Sequence, residues 1–174
     1  MIYTETRLTG AYVIEPQMIR DERGGFAYLF EAREAASKGL RTGCVQVKLS
    51  TNVKKGTLRG MHYQVPPAAE MKLVRCIRGA VWDIIVDLRP GSTTHLQSFG
   101  VELSAENRKA LYVPQLFAHG YQTLTDDAEV VYQVDEFYAP QHERGIRHDD
   151  PKLKLQWPLA VTSISPKDQA WALL

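Results

Sequence analysis

An arginine, a histidine and a lysine crowd into two short apolar stretches, Leu58-Arg59-Gly60-Met61-His62-Tyr63-Gln64 and Met71-Lys72-Leu73-Val74-Arg75-Cys76. A cation or an imidazole among strand-formers must be solvated by something specific, and a ligand-lined cavity would supply it. Leu58, Met61, Leu73, Val74 and Ile77 read as one wall of a β-rich core. Strict alternation puts His62 on the face of Leu58 and Gly60 and turns Arg59 away. A glycine inside a strand often marks a bulge that re-aims side chains, so Gly60 predicts that Arg59 and His62 enter the same cavity. The plainer reading is a surface arginine and a core histidine bonded to backbone.

Three further residues could join that chemistry. Tyr132 stands in the apolar run Val130–Val134; a buried phenol needs a partner and can hold a proton ready for a carbanion-like centre, although an ordinary core tyrosine reads the same way. His119 enters a strand from a proline-bearing turn. Ser165-Pro166-Lys167-Asp168 has the spacing of a helix capping box, and the alternative is an aspartate that orients a histidine. In the strand Cys44–Leu49, Val45, Val47 and Leu49 share one face and Gln46 and Lys48 the other, with water the default neighbour of the polar face.

His62 and His119 also invite comparison with the metal-binding pattern of cupins. Gly56, His62, Pro114 and His119 fit it, but Gln64 replaces the second histidine and Glu70 is displaced. Two histidines without a well-placed third ligand make a weak site, so a cupin-like barrel without a metal is expected.

The elements that must position these groups are short strands punctuated by Gly, Pro and Asp: Tyr12–Ile14, Cys44–Leu49, Leu58–Tyr63, Lys72–Ile77, Val81–Leu88, Phe99–Leu103, Leu111–Val113, Gly120–Leu124 and Val130–Val134. That pattern predicts an all-β sandwich or barrel. Helices are expected at Glu31–Lys38 and after Ser165. Ala139–Asp150 reads as a loop before a strand carrying Leu153, Leu155 and Trp157. In Val81–Leu88, Trp82, Ile84, Val86 and Leu88 share a face, and the other carries Asp83 and Asp87, as if to line a pocket or meet a partner. With no repeat or linker, residues 1–174 are expected to form a single domain.

Twenty-one basic and 20 acidic residues nearly cancel, which gives no global field for nucleic acid or an anionic membrane. No apolar run is long enough for a signal peptide or a membrane span. Cys44 and Cys76 sit in strand-like segments with no disulfide or zinc spacing, so they read as buried, reduced thiols of a cytoplasmic protein.

Taken together, Leu58–Gln64, Lys72–Cys76, Leu103-Ser104-Ala105-Glu106-Asn107, Pro114 with Phe117–Gly120, Val131-Tyr132 and Lys167-Asp168 closely resemble the dTDP-4-dehydrorhamnose 3,5-epimerase family, from Asp21-Glu22-Arg23-Gly24 onward. The resemblance implies an all-β cupin-type jelly roll, catalysis without metal or other cofactor, a nucleotide-sugar substrate, and a homodimer formed by exchange of an amino-terminal strand. It implies that His62 removes a proton beside the C4 ketone of a nucleotide-linked 4-keto-6-deoxysugar. Asp168 would hold the His62 ring, Tyr132 would return a proton to the opposite face, and Lys72 would stabilise the enolate oxygen. His119 and Arg59 would hold the sugar and oxyanion region. Arg23, Gln46, Arg59, Glu143 and Lys167 would serve the diphosphate and nucleotide, with Phe26 and Tyr138 available to stack on the base.

Two departures fall at positions the family uses for substrate binding: Tyr28 stands where an acidic residue is common, and Val47-Lys48 where Asp-Asn usually follows Gln. They leave the carrier open between dTDP and another nucleoside diphosphate such as CDP. A single-centre epimerase and a non-catalytic sugar-nucleotide-binding module remain as alternatives.

Overall fold

The computed structural model describes all 174 residues. Its first strands are β1 (Ile2–Glu5), β2 (Tyr12–Glu15), β3 (Ile19–Asp21) and β4 (Gly24–Phe26), followed by the helix α1 (Ala32–Ser37). The central strands are β5 (Gln46–Asn52), β6 (Leu58–Gln64), β7 (Lys72–Arg78), β8 (Ala80–Asp87) and β9 (Ser98–Ser104). The last are β10 (Ala110–Val113), β11 (Phe117–Thr123), β12 (Ala128–Val134) and β13 (Glu143–Gly145), before the one-turn helix α2 (Pro166–Gln169).

Two antiparallel sheets face each other, one ordered β1-β2-β10-β7-β12-β5 and the other β13-β6-β11-β8-β9. This is a jelly roll of the cupin type, as the resemblance implies. Val74, Ile85, Leu111, Phe117 and Val130 are among the side chains that fill the space between the sheets. A fully buried aliphatic or aromatic side chain of this size contributes about 1.5–3 kcal/mol.

The outer face of β8 is covered as well. Ile84 and Val86 pack with Met61, Ala118, Ile146 and Leu153, and Trp82, Leu88, Leu155 and Trp157 lie against that cluster. The expected strand over Leu153–Trp157 is absent: these residues form an irregular cover, and Lys154 has φ +50, a left-handed conformation that breaks an extended strand. Within the expected loop, a 3₁₀ turn at Pro140–His142 leads into β13, which pairs Gly145 with His62.

Three other expectations are corrected. Leu58, Met61, Leu73, Val74 and Ile77 do not form one wall: Met61, Leu73 and Val74 belong to three separate apolar clusters, and Ile77 is exposed. Cys44 precedes β5 and is exposed, while Cys76 is buried. β5 turns its polar face inward, so Ser50 lines a cavity and Lys48 a recess beside it, whereas Val47 and Leu49 point outward and are 62% and 59% exposed. The amino-terminal strand β1 pairs with β2 of its own chain, and the β3–β4 hairpin is the segment that stands apart, every residue of both strands exposed.

Candidate active site

Gly60 and Gly120 let β6 and β11 approach unusually closely. A Cβ on Gly60, whose φ is +119, would lie 2.6 Å from the Gly120 Cα and 2.7 Å from the His119 carbonyl oxygen. The register confirms a bulge: His119 pairs with His62 and Tyr121 with Arg59, so β6 spends one residue more than β11 over that step. The extra residue brings Arg59 and His62 to the same cavity.

That cavity has a volume of about 390 Å³ and is lined by Arg59, His62, Lys72, His119, Tyr132 and Asp168, with Lys167 at its carboxy-terminal side. His62 comes from one sheet, and Lys72 and Tyr132 come from the other. A recess of about 80 Å³ shares His62, Lys72 and Tyr132 and adds Lys48, Glu70, Tyr138 and Glu143. Gln46 stands beside it and accepts a 3.1 Å hydrogen bond from the Tyr138 N–H.

The carboxy-terminal segment closes the cavity because it is fastened to the start of β6. The Leu58 N–H donates to the Ser163 carbonyl at 2.8 Å, and the Thr162 N–H to that of Gly56 at 3.0 Å. Ser165 then caps α2 by accepting from the Asp168 N–H. The Asp168 carboxylate does not complete a capping box; it accepts from the Gly60 N–H at 3.2 Å and lies 2.6 Å from His62 Nε2. Asp168 therefore serves the cap through its backbone and His62 through its side chain. Burial works most strongly against its ionisation, but the His62 and Gly60 hydrogen bonds outweigh it and hold the carboxyl below its usual range.

Around the remaining groups the charges are paired. Lys72 is buried, 3.3 Å from Glu70 Oε1, and its ammonium donates to the His62 carbonyl at 3.4 Å. Lys48 lies 3.9 Å from Glu70 Oε2, over the rings of Tyr132 and Tyr138; burial, with Lys72 nearby, pushes its pKa down against the pull of Glu70. The Tyr132 phenol is pushed up, first by burial and then by Tyr121 and Glu70. Arg59 donates to Asn52 Oδ1 at 2.7 Å, which holds its guanidinium at the cavity wall. Lys167 is paired with Glu143 at 2.6 Å, and the same carboxylate accepts from the Tyr138 hydroxyl.

Gln64, at the position of a second cupin histidine, is buried and engaged with backbone at Ala68, Phe137 and Ala139. No three His, Cys, Asp or Glu side chains are grouped to hold a metal ion.

Three expected substrate-side residues do not reach the cavity of their own chain. Arg23 pairs with Asp21 in the β3–β4 hairpin, and Phe26 packs edge-on against Tyr28 at 5.4 Å, with all three exposed. Val47 also departs from the site, since it faces outward; of the Val47-Lys48 departure, only Lys48 bears on the recess. Conversely, Asp83, which the sequence places on the second face of its strand without a partner, is wholly buried and accepts from His119 at 2.9 Å. A carboxylate in an apolar strand demands such a partner, and that signal was available. Tyr121 and Ser50, hydrogen-bonded at 2.7 Å, were missed.

The family model described as dTDP-4-dehydrorhamnose 3,5-epimerase matches residues 5–174. This chain belongs to that family. It is 41% identical to the dTDP-4-dehydrorhamnose 3,5-epimerase of Shigella flexneri over 94% of this chain and 91% of the relative. The crystal structure of the Bacillus anthracis dTDP-4-dehydrorhamnose 3,5-epimerase with TDP and PPi bound superposes with a TM-score of 0.95 at 38% identity, covering 99% of both chains. A dTDP-4-dehydrorhamnose 3-epimerase of Streptomyces niveus is 35% identical over 96% of this chain and 81% of its own length. As a member of an epimerase family, the chain carries an isomerase architecture over nearly its full length.

Proposed function

We propose that the chain epimerises dTDP-4-dehydro-6-deoxy-D-glucose at C3 and C5 to give dTDP-4-dehydro-L-rhamnose. The observation that carries this reading is the placement of a base and an acid on opposing sheets across one cavity: His62, backed by Asp168, on β6, and Tyr132 on β12. An ionised carboxylate can only accept, so the His62 Nε2–H donates to Asp168 and Nδ1 is left with the lone pair. Nδ1 takes the proton next to the C4 ketone, the electron pair moves onto the C4 oxygen, and the Lys72 ammonium meets the oxyanion in a water-poor site. The Tyr132 hydroxyl then protonates the carbon from the other side, inverting it. His119, fixed by Asp83, and Arg59 hold the sugar.

Lys167, Gln46, Tyr138, Glu143 and Lys48 gather where the diphosphate and nucleotide would leave the cavity. Guanidinium and ammonium groups suit phosphate oxygens. Arg23, Phe26 and Tyr28 fit this scheme in a homodimer whose β3–β4 hairpin crosses to the partner's cavity. The free edge of β5 and its apolar outer face, Val47 and Leu49, support such an interface. Residues 1–174 then act as one domain, and a nucleotide-linked substrate places the enzyme in the cytoplasm.

The similarity to a 3-epimerase motivates a second reading, inversion at C3 alone. Proton NMR in D₂O with dTDP-4-keto-6-deoxyglucose separates the two. Loss of both the C3 and C5 proton signals is the expected result, loss at C3 alone selects the second reading, and no exchange at either carbon rules out both.

A further inference from the structure

Trp171 lies beyond α2 and does not line the cavity, yet its indole meets the His62 imidazole edge-on at a centroid distance of 6.4 Å. The indole rests on Gly145, where an added Cβ would come within 2.2 Å of the ring. Gly145 is the register partner of His62 across β13 and β6. A bare backbone position beside the base therefore forms the seat for this one ring. The indole N–H is buried and makes no hydrogen bond, so the ring's contribution is its surface rather than its donor.

We propose that Trp171 is a positioning residue for the general base, resting on the epimerase reading above. Asp168 fixes one nitrogen of His62 but leaves the imidazole free to swing about that hydrogen bond. The indole blocks the swing and so keeps Nδ1 directed at the carbon acid. Both restraints arrive on the same carboxy-terminal segment. The anion side of the cavity keeps its own anchor, because Lys167, whose ammonium lies 5.8 Å from the Trp171 ring centre, is paired with Glu143.

The test is steady-state kinetics of deuterium exchange at C3 and C5 by wild type, Trp171→Ala, Trp171→Phe and Gly145→Ala. Misaligning a reacting group by an ångström can cost about 100-fold, so Trp171→Ala should lower kcat about 10–100-fold while KM stays within about threefold. Trp171→Phe keeps a ring without the unpartnered donor and should restore kcat to within about threefold of wild type. Gly145→Ala should reproduce the kcat loss, and its effect should vanish in the Trp171→Ala background, because it acts only by lifting the indole. Wild-type kcat in Trp171→Ala overturns the proposal, as does a loss that appears in KM alone or a Gly145→Ala loss undiminished in the double variant. Wild-type protein with no exchange at all overturns the epimerase reading and this proposal with it.

Discussion

His62 Nε2 and Asp168 Oδ1 stand 2.6 Å apart although 106 residues separate them in the chain. The pair exists because Gly60 re-aims β6 and because the tail is fastened to Leu58 before it reaches α2. His62→Ala removes the base and should reduce exchange at both C3 and C5 by about 10²–10⁴-fold. Asp168→Asn leaves an imidazole whose orientation and tautomer are no longer enforced, so its rate should fall between wild type and His62→Ala. Equal rates for Asp168→Asn and wild type in the D₂O assay would remove Asp168 from the mechanism.

The same carboxylate predicts a pH dependence of stability. Its folded-state pKa is depressed, so its stabilisation is fully present above the unfolded value of about 4 and is lost as pH falls through the lower folded value. The gap in unfolding free energy between wild type and Asp168→Asn should therefore shrink as pH falls below about 4. Urea titrations at several pH values measure it, and a gap undiminished below that pH contradicts the assignment.

Tyr132 has its phenol pushed up, chiefly by burial. It should remain a proton donor until pH rises beyond about 10, placing any alkaline loss of kcat due to this group above that value. In Tyr132→Phe, His62 can still remove a proton and return deuterium to the same face. Isotope should then enter C3 and C5 with configuration retained, while the L-configured product is lost. Wild-type inversion by Tyr132→Phe would assign the acid elsewhere.

Particular residues show what was legible beforehand. Alternation located the central strands, and Gly60 between Arg59 and His62 marked the bulge because a glycine in a strand is otherwise hard to account for. Alternation separates the two faces of β5 without saying which one turns inward; here the sheet turns Lys48 and Ser50 inward, half-buried, and leaves Val47 outside, because the space between the sheets at that edge is a polar cavity. Asp168 carried a complete local explanation as a cap; its second partner, His62, was implied by the family resemblance and not by local spacing, because it depends on the long-range approach of the tail to β6. Trp171 gave no signal, since nothing periodic surrounds it and its seat, Gly145, lies in a three-residue strand that the sequence reads as loop.

The bulge itself can be tested apart from the chemistry. In Gly60→Ala the new methyl would meet β11 backbone at Gly120 and His119 from a backbone conformation that disfavours side chains. The conformational part alone costs about 1–3 kcal/mol, and the backbone clash adds to it. A lowered urea midpoint together with loss of exchange activity is expected. Unchanged stability would show that β6 can close on β11 without the glycine.

The outer face of β5 and the β3–β4 hairpin make a joint prediction about assembly. Val47→Glu puts a charge on a surface that the proposed second copy would desolvate, which is strongly unfavourable at an apolar interface. Light scattering should show a dimer for wild type and a monomer for the variant. His62, Lys72, Tyr132 and Asp168 all come from one chain, whereas Arg23, Phe26 and Tyr28 would be withdrawn on dissociation. The monomer should accordingly lose affinity for the nucleotide sugar, seen as a raised KM, more than it loses kcat. A monomeric wild type would sink the dimer, while a monomeric variant with unchanged KM would show that the hairpin plays no part in holding the nucleotide.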